Sequence, residues 1–593
     1  MLKPRPSWNL LTTDANLALM SQVLGIKKAT AAVMANRGIR SKNTALAYLN
    51  PGTAGEPALN MRDVKKAFDR IVLGLRRGER IMIYGDYDAD GVMSTVILYK
   101  ALKMCGADVN FYIPHREEEG YGLNIDAVRT IREADYELLI TCDNGIAALA
   151  EIDEANALGM DVIVIDHHEP GFVETGEGRQ DVIPEALAVV DPKQSACPYQ
   201  FKEMCAGGLV FKLMEAFYSY VGRDFSPIQD ELLVMATIAT ICDIVDLTGE
   251  NRSLVKRGLK VLNSNRKING GLGHLITLRG YADKPIDTFT IGFVLGPCIN
   301  ATGRLESAEM SVRLLLSADE TEQQKLAKTL SELNEERKAI THSCVERTLK
   351  KLDNIEDTVV VLVDEETHES IAGIVAGRVK EVLLRPTILL TRGTEPKVLK
   401  GSGRSIPAYN MFEALYANQE LFLRFGGHAM AAGLSLNEDN VPELRRRLNK
   451  DCTLTESDLL GTIDIDMELP TREITTALAQ ELAELAPFGK GNHQPLFVTY
   501  GLPVSALRII DDKNTLIFTF DTAEGRLKGI AFGLNSLFLE VLKAHYDEGH
   551  YRRIISGQVA GLTLDIVHMV ETNTYNGRTS VQSRLKDFRI AER

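Results

Sequence analysis

The feature that most constrains this chain is an alternation of short apolar runs with stretches of helical periodicity between about residues 60 and 250. The runs RIMIYGD, YELLITCD, VIVIDHH and LAVVDP have the length and composition of buried strands. Each run contains an aspartate where its apolar part ends, and these are Asp86, Asp143, Asp166 and Asp191. Such alternation predicts a mainly parallel sheet flanked by helices, and ligands of open parallel sheets collect at the carboxyl ends of the strands. We therefore expect these aspartates to lie at one edge of the sheet.

The rest of the chain divides by pattern into further segments. Residues 255–315 look helical, with a break expected at the Gly/Pro-containing GPCINATGR. Residues 320–352 would form a helix of about 50 Å at 1.5 Å per residue, interpreted as a connector between two lobes. A coiled-coil strand is the alternative, which the short and interrupted apolar seam disfavours.

Five segments are expected from these patterns. They are an N-terminal helical segment at 1–55, a parallel-sheet domain at 56–250, a helical region with the connector helix at 251–352, a smaller α/β domain at 353–455, and a β-barrel of OB type, a common single-strand-binding fold, at 456–593.

Composition excludes several classes of protein. The 593 residues are 45% hydrophobic and 25% charged, which is ordinary for a globular chain. No run approaches the ~20 apolar residues of a membrane span, and the N-terminus has no secretory h-region. The 67 basic and 81 acidic residues give a net charge of −14, which argues against polyanion binding over the whole surface but leaves a local basic channel open. Eight cysteines without a C-x-x-C pair predict reduced thiols and a cytoplasmic location.

The strongest chemical motif is Asp86-x-Asp88-x-Asp90-Gly91, directly after the strand IMIY. Three carboxylates at alternate positions repel one another unless something positive lies among them, and divalent cations with oxygen ligands satisfy that need. An EF-hand loop is excluded because its twelfth position is Ile97 and no helix precedes it. A turn stabilised by aspartate side chains is the plainer alternative.

Three further motifs supply more ligands. Asp143 opens DNG, His167 and His168 follow Asp166, and Asp243 follows the apolar helix LLVMATIATIC. Helix capping is the alternative role for Asp143 and Asp243, and a surface pair is the alternative for the histidines. Together the motifs give an oxygen and nitrogen donor set without thiolates, which suits Mn²⁺ or Mg²⁺ better than structural Zn²⁺. So many carboxylates exceed the needs of one ion, and two cations about 3.5–4 Å apart are the usual arrangement for hydrolysing phosphate esters.

The successive motifs IYGDYDADG, TCDNG, VIDHH and ATICDIVDL resemble those of the DHH phosphoesterase family. The resemblance extends to RecJ-type single-strand-specific 5′→3′ DNA exonucleases through LGIKKATAAVMANRGI, CAGGLVFKL, GPCINATGRL, GSGRS, FGGHAMAAG and LAPFGKGNHQPLF. It covers nearly the whole chain. It implies a catalytic DHH domain at 56–250, a substrate-binding DHH-associated domain at 353–455 across the connector helix, and an OB-like nucleic-acid-binding domain at 456–593.

The resemblance also implies the roles of individual residues in the catalytic lobe. Asp88 and Asp90 look like ligands to the first and second ion, Asp143 like a bridge, His167 and Asp243 like further ligands of the second ion, Asp86 like an additional essential carboxylate, and His168 like a residue that polarises the scissile phosphate. Some relatives carry a histidine four residues before the position matched by Asp88. This chain has Tyr84 there, so the ligand set of its first ion departs from theirs.

Substrate contacts follow from the same resemblance. Arg304 looks like a phosphate contact in the cleft between the lobes, Ser402 and Arg404 like a pocket for the terminal 5′-phosphate, and His428 like a partner near the scissile group, with Gly426 and Gly427 beside it. Glycines allow close approach of backbone to phosphate, and arginine supplies a two-pronged donor. GSGRS alone also fits a flexible loop. Arg445–Arg447 are interpreted as a solvated helix face, and Phe497, Phe518 and Phe520 as core residues more than stacking platforms.

The expected function is a processive exonuclease that degrades single-stranded DNA from its 5′ end to mononucleotides with two Mn²⁺ or Mg²⁺ ions, in DNA repair and recombination. One alternative is a DHH-family oligoribonucleotide or nucleotide phosphatase. The other is a non-catalytic DNA-binding or helicase-accessory relative. The resemblance implies single-stranded DNA, a single-strand-binding protein and a helicase as partners, with no membrane association and a monomeric enzyme.

Overall fold

The structure is a computed structural model that describes residues 5–50, 52, 55–116, 119–120, 122–176, 178–352, 357–393, 395–575 and 577–591. The described parts of residues 1–52 and 460–593 form one compact unit, and those of 53–459 form a second. The first unit therefore combines the two ends of the chain. Its N-terminal part contains β1 (Ser7–Leu10), α1 (Leu17–Leu24), α2 (Lys28–Asn36) and α3 (Lys42–Leu49).

The second unit begins with a five-stranded sheet, all parallel, in the order β3-β2-β4-β5-β8. Its first half comprises α4 (Val64–Arg77), β2 (Arg80–Tyr84), α5 (Ala89–Met104), β3 (Asp108–Tyr112), α6 (Ile125–Glu133), β4 (Leu138–Cys142), α7 (Leu149–Ala157), β5 (Asp161–Ile165), the hairpin β6 (Gly171–Thr175) and β7 (Gly178–Val182), and β8 (Ala188–Val190). Side chains alternate across the sheet, so that Ile81 and Ile83 enter one core while Met82 and Tyr84 enter another. The predicted parallel sheet is confirmed.

A helical region follows the sheet. It comprises α8 (Ala206–Tyr220), α9 (Ser226–Cys242), α10 (Gly249–Ser264), α11 (Gly270–Leu278), α12 (Thr288–Thr290), a π-helical segment (Ile291–Leu295), α13 (Gly296–Leu305), α14 (Glu309–Leu316) and α15 (Glu320–Lys350). The predicted break at GPCINATGR was wrong, because Pro297 lies in the first turn of α13, where a proline is tolerated, and the π-helical segment precedes it.

The predicted connector is the 31-residue helix α15, about 46 Å long at 1.5 Å per residue. Asp319 caps its N-terminus by accepting hydrogen bonds from the backbone N–H groups of Thr321 and Glu322. Its first half packs against α11, α13 and α14, and its second half against α16 (Glu369–Leu383). The helix therefore joins the parallel-sheet domain to the smaller α/β domain.

That smaller domain has a mixed five-stranded sheet in the order β12-β13-β11-β10-β9, in which only β9 and β10 are parallel. It comprises β9 (Val360–Val363), α16 (Glu369–Leu383), β10 (Thr387–Arg392), β11 (Val398–Arg404), α17 (Met411–Tyr416), β12 (Phe422–His428), β13 (Ala431–Asn437) and α18 (Val441–Lys450), followed by α19 (Glu456–Leu460).

The C-terminal part of the first unit is a closed five-stranded barrel, because β16 pairs with both β17 and β19 while β18 and β20 complete the circle. It comprises β14 (Thr462–Ile465), β15 (Met467–Glu468), α20 (Thr476–Ala483), β16 (Phe497–Ile510), β17 (Thr515–Thr522), β18 (Gly525–Phe532), α21 (Asn535–His545), α22 (Glu548–Ile555), β19 (Thr563–Tyr575) and β20 (Arg578–Ile590). The predicted OB-type barrel is confirmed.

The N-terminal segment differs from its expected form as a separate group of helices. Strand β1, which sequence patterning missed, pairs in parallel with β14, and the indole Nε1 of Trp8 donates a hydrogen bond to Asp587 Oδ2 at 2.7 Å. Helix α2 shares a core with α20 and the barrel. Among the described residues no single helix is long and apolar enough to cross a membrane, although the bent pair α1 and α2 reaches the threshold when counted together.

Candidate metal centre and substrate cleft

The acidic loop Asp86–Asp90 connects the carboxyl end of β2 to helix α5. Asp88 caps this helix by accepting hydrogen bonds from Asp90 N at 2.8 Å and Gly91 N at 3.1 Å. The carboxylate of Asp90 is buried and accepts hydrogen bonds from the backbone N–H groups of Ala206 and Gly207 at the start of α8. A helix N-terminus favours a carboxylate there. Burial and the charge of Asp88 nevertheless raise the pKa of Asp90 to about 7.

The other strand ends converge on this loop. His167, after β5, places its Nε2 3.1 Å from Asp143 Oδ1 and 3.6 Å from Asp90 Oδ2, and its Nδ1 lies 3.9 Å from Asp243 Oδ2. Three overlapping groups have ligand atoms within 4.8 Å of one another: Asp143, Asp166, His167 and His168; Asp90, His167 and Asp243; and Asp86, Asp88 and Asp143. Asp143 belongs to two of these groups and has a left-handed backbone with φ 65°. Such conformations are strained for a non-glycine residue and recur at active sites.

The electrostatics of this cluster fit a bound cation. Burial raises the pKa values of Asp86 and Asp143 well above their ordinary range, and the charges of neighbouring aspartates add to the effect. Asp243 has a pKa of about 8 from burial and repulsion by Asp90 and Asp88. The buried Asp86 Oδ1 has no hydrogen-bond partner among the described residues. A buried carboxylate oxygen of this kind, among other crowded carboxylates, calls for positive charge, which a divalent cation supplies.

The remaining donors make the site one of oxygen and imidazole ligands. Burial lowers the pKa of His167 to about 3, so its ring is neutral and able to coordinate a metal. The nearby thiols of Cys205 and Cys242 have pKa values raised by burial and by the surrounding carboxylates, so they stay protonated. This donor set suits Mn²⁺ or Mg²⁺.

His168 is held by Asp166, a buried residue whose role the sequence left unspecified. Asp166 Oδ1 lies 2.7 Å from His168 Nδ1, and its Oδ2 accepts a hydrogen bond from Ile146 N at 2.9 Å. Burial acts to lower the pKa of His168, but the hydrogen bond and charge of Asp166 outweigh it and raise the pKa to about 9. The ring of His168 is therefore cationic at neutral pH, and its side chain remains 44% exposed.

Helix α13 closes one side of the acidic loop. Asn300 Oδ1 accepts a hydrogen bond from Ala89 N at 2.7 Å. A Cβ on Gly303 would come within 3 Å of the Tyr87 carbonyl oxygen, so only glycine permits this approach. Arg304 Nη1 donates a hydrogen bond to the Ser370 carbonyl oxygen at 2.6 Å, which joins the two lobes. Burial lowers the pKa of Arg304 to about 10, and the nearby charge of Arg116 contributes.

Ser402 and Arg404 lie together on β11. Arg404 Nη1 donates a hydrogen bond to Ser402 Oγ at 2.6 Å. A Cβ on Gly373 of α16 would lie 3.0 Å from Ser402 Oγ and 2.5 Å from Arg404 Nη2, so this glycine leaves room for both side chains. The charge of Arg116 lowers the pKa of Arg404 as well, after the larger effect of burial. No ion pair with an acidic residue is formed by Arg116, Arg304 or Arg404 in the described part of the chain.

The glycines of the FGGH motif, Gly426 and Gly427, leave the surface beside Ser402 and Arg404 free of side chains. In the sheet register Gly433 of β13 lies between Ser402 of β11 and Gly426 of β12. Ala431 of β13 lies in the same way between Arg404 and His428. Gly427 has φ 146°, and a Cβ there would come within 3 Å of the Ala431 carbonyl oxygen. His428 is exposed, and its Nδ1 accepts a hydrogen bond from Met430 N. Among the described residues, no hydrogen bond or ion pair joins His428 to the acidic cluster.

Comparisons with known proteins agree with this architecture. Family models match at residues 80–240 (DHH family, N-terminal domain), 356–453 (DHHA1 domain) and 465–587 (RecJ OB domain). The chain is 34% identical over 600 residues to the single-stranded-DNA-specific exonuclease RecJ of Bacillus subtilis (strain 168), covering 100% of this chain and 72% of that protein. The chain belongs to the RecJ family.

Other RecJ proteins are similarly close. RecJ of Thermus thermophilus is 32% identical, with 80% of its length covered. The crystal structure of RecJ in complex with Mn²⁺ from Thermus thermophilus superposes with a TM-score of 0.82 at 29% identity, covering 99% of this chain and 80% of that chain. The expected DHH, DHH-associated and OB domains are thereby confirmed, while their detailed boundaries stay predictions.

Several residues that the sequence motifs singled out in this RecJ-family chain lie away from the acidic cluster. The Tyr84 side chain is buried, donates a hydrogen bond to the Gly122 carbonyl oxygen and stacks on Tyr112. Phe497, Phe518 and Phe520 are fully buried in the barrel and offer no stacking surface. Arg445–Arg447 pair with Asp357, Glu443 and Glu420, in agreement with a solvated helix face.

Sequence reasoning missed four contributors to this RecJ-family site: Arg116, Asn300, Gly303 and Gly373. Asn300 contacts a backbone N–H group, and Gly303 and Gly373 contribute by having no side chain. Neither kind of contribution leaves a chemical signature in a sequence. Asn300 and Gly303 do lie inside the GPCINATGRL motif, beside Arg304. The motif itself was therefore the signal that could have identified them.

Proposed function

We propose that this chain hydrolyses single-stranded DNA from the 5′ end and releases mononucleotides, acting in DNA repair and recombination. One observation carries the proposal. The aspartate and histidine cluster lies close to arginines around helix α13, and these arginines have no acidic partner among the described residues. Relatives at 31–34% identity are single-stranded-DNA-specific exonucleases, which supports the choice of substrate.

Two divalent cations, Mn²⁺ or Mg²⁺, are proposed as cofactors. RecJ of Thermus thermophilus has been crystallised in complex with each of these ions. Here Asp88 would hold the first ion, Asp90, His167 and Asp243 the second, and Asp143 both, with Asp86 as an additional carboxylate. Such cations, when bound, supply the positive charge that activates water for attack and stabilises charge developing on the phosphate.

The protein's own side chains then orient the substrate. His168, cationic and partly exposed, donates a hydrogen bond to a phosphate oxygen, and Asp166 keeps its ring in position. Arg304 contacts a phosphate in the cleft, and Ser402 and Arg404 bind the terminal 5′-phosphate beside the surface cleared by Gly426 and Gly427. His428, at the same end of this sheet as Arg404, assists near the scissile group.

The test is digestion of single strands labelled at the 5′ or the 3′ end, compared with duplex DNA and short RNA, across a titration of Mn²⁺ and Mg²⁺. We expect mononucleotides to be released from the 5′ end of single-stranded DNA only. Asp143→Asn should abolish release, whereas Asp126→Asn, which changes a 97%-exposed carboxylate of the same domain, should not. Preference for short RNA would indicate the phosphatase alternative, and no release with any divalent ion would indicate a non-catalytic relative.

The location of the protein in the cell, its oligomeric state and its partners are also proposed. The eight cysteines are all free thiols, which supports a reducing, cytoplasmic environment. A monomeric enzyme that works with a single-strand-binding protein and a helicase follows from the family resemblance. Sedimentation of the purified protein alone tests the monomeric state. Sedimentation with the single-strand-binding protein or with the helicase tests the two interactions.

A further inference from the structure

The loop after β8 places a lysine at the carboxyl edge of the parallel sheet. Asp191 Oδ1 accepts a hydrogen bond from Lys193 N at 2.7 Å. Gln194 Nε2 donates hydrogen bonds to the carbonyl oxygens of Val189 at 2.9 Å and Asp191 at 3.2 Å. Asp191 and Gln194 are buried, so these contacts are shielded from water. The backbone of Lys193 is therefore held beside the end of β5, the neighbouring strand.

The ammonium group of Lys193 lies close to the acidic cluster. Burial is the main cause of the lowered pKa of His167, and the charge of Lys193 adds to it. The same charge opposes the burial and the aspartates that raise the pKa of Asp243. Because His167 follows β5 and Asp243 follows α9, an effect on both places the ammonium group beside the cluster that they form. The side chain of Lys193 is 18% exposed.

Lys193 has only a distant acidic partner in the described part of the chain. Its Nζ lies 3.7 Å from Glu169 Oε1, and Glu169 is 70% exposed. Glu169 is shared with Arg179, whose Nη2 lies 3.9 Å from Glu169 Oε2. The ammonium group forms no hydrogen bond with any residue that the structure describes. Ion pairs of this length with exposed carboxylates contribute little, so the ammonium group can bind another anion.

The order of the strands separates this lysine from the arginines of the cleft. The acidic loop follows β2, and Arg304 lies on α13, which packs on that loop through Gly303 and Tyr87. Lys193 follows β8, which is three strands away in the order β2-β4-β5-β8. At about 4.8 Å per strand, the two strand ends are about 14 Å apart. Positive side chains therefore border the cluster at two separate places.

We propose that Lys193 binds a phosphate of the substrate strand on the 3′ side of the bond that is cleaved. The inference rests on the proposed function, which assigns the 5′-phosphate to the side of Arg304 and Arg404 and cleavage to the metal centre. A strand that extends from that side past the metal centre reaches the β8 edge, where the Lys193 ammonium group lies. A contact with the backbone carries no information about the bases, which suits degradation of any sequence.

Strand spacing also limits which phosphate is bound. Asp143, which belongs to two of the three ligand groups, follows β4. Strand β8 is two strands from β4, or about 10 Å. At no less than 3.4 Å per nucleotide, this distance corresponds to at most about three nucleotides. Lys193 therefore binds one of the first three phosphates beyond the cleaved bond, which are the second to fourth linkages of the strand.

The first measurement is the salt dependence of binding. Lys193→Gln, Lys193→Arg and Glu169→Gln are made in the full chain, with Lys103→Gln as the matched control. Lys103 is exposed near the end of α5, 13 residues or about 20 Å along the helix from Asp90. Anisotropy of labelled 20-nucleotide oligothymidylate is recorded in EDTA, which prevents cleavage, at about 50–200 mM salt.

We expect Lys193→Gln to raise Kd roughly 3- to 30-fold and to reduce the slope of log Kd against log salt by about 0.7, the value for one phosphate of a single strand. Lys193→Arg should keep the slope of the wild type, because arginine keeps the charge. Glu169→Gln should lower Kd, because it removes the anion that competes for the ammonium group. Lys103→Gln should bind as the wild type does. An unchanged slope in Lys193→Gln would overturn the proposal.

The second measurement locates the phosphate. Each 20-mer carries a 5′-phosphate and one uncharged methylphosphonate at the second, third or fourth linkage, or at the tenth as a control, and kcat/KM of the first cleavage is measured with Mn²⁺. One of the first three modifications should lower kcat/KM of the wild type and should have no further effect in Lys193→Gln. Wild-type rates that ignore all three modifications, or losses that multiply in the variant, would overturn the proposal. A wild type that degrades no strand would instead refute the proposed function.

Discussion

Replacing Asp243 by asparagine should stabilise the metal-free protein while it abolishes activity. The side chain of Asp243 is 24% exposed, and its carboxyl lies near those of Asp90 and Asp88. Burial first, and then the charges of these two aspartates, raise its pKa to about 8. An ionised Asp243 is therefore costly in the folded state when no cation is bound. Asparagine keeps the shape of the side chain and removes the charge.

The magnitude follows from proton linkage. An unfolded aspartate has a pKa of about 3.9, so at pH 7 the unfolded chain has lost a proton that the folded chain retains. About three pKa units at ~1.4 kcal/mol each give a penalty on the order of 4 kcal/mol. Because the folded pKa is raised, the penalty is absent below about pH 4, and stability falls as pH rises from 4 to 8. Neighbouring carboxyls share protons, so we expect a measured gain of about 2–4 kcal/mol at pH 7.

The assay is denaturant unfolding in EDTA at pH 5, 6, 7 and 8, repeated with added Mn²⁺. The Asp243→Asn variant should be more stable than the wild type at pH 7 and 8, and its stability should fall less steeply with pH, by up to ~1.4 kcal/mol per pH unit. Mn²⁺ should stabilise the wild type strongly and the variant weakly. Asp126→Asn controls for loss of an exposed carboxylate. A variant that is less stable than the wild type at pH 8 in EDTA would refute the reasoning.

Three further predictions concern other parts of the chain. Gly303→Ala forces a Cβ onto the backbone of the acidic loop and should lower kcat at least tenfold in the nuclease assay, whereas Gly176→Ala, where a Cβ meets nothing within 4 Å, should not; equal rates would contradict the positioning role. Ile244 has a left-handed backbone with φ 58°, which glycine adopts without strain. Ile244→Gly should therefore raise the free energy of unfolding by about 0.5–1 kcal/mol, and a decrease in urea melts would show that the strain is absent. Trp8 is the single tryptophan, so its fluorescence reports on the unit formed by the chain ends. Asp587→Asn should lower the free energy of unfolding measured by this fluorescence by about 1–2 kcal/mol. An unchanged unfolding transition would contradict a role for the 2.7 Å hydrogen bond between Trp8 and Asp587.

Much of the candidate site could be predicted because parallel strands bring their carboxyl ends to one edge. Asp86, Asp143 and His167 each follow a buried strand, so local pattern alone put them in one place. The expected ligands Asp88, Asp90 and Asp243 are likewise within reach of this edge in the structure. Their roles as ligands stay predictions.

Contacts between distant segments could not be predicted in the same way. Asn300 and Gly303 position the acidic loop through a backbone N–H and a backbone carbonyl, which every residue possesses. The pairing of β1 with β14 joins residues more than 450 positions apart, and no local periodicity encodes it. The expected break at GPCINATGR failed because a proline in the first turn of a helix looks the same in sequence as one that ends a helix.

The sequence by itself determined the alternation of strands and helices in the parallel-sheet domain, its buried apolar strands, and the chemical identity of the donors at the strand ends, because these depend on spacing along the chain. The tertiary structure alone decided that His168 pairs with Asp166 whereas His167 lies against Asp143, and that arginines without a described acidic partner collect around helix α13. Charge state and exposure depend on what surrounds a side chain, and those surroundings come from segments that the sequence does not place next to one another.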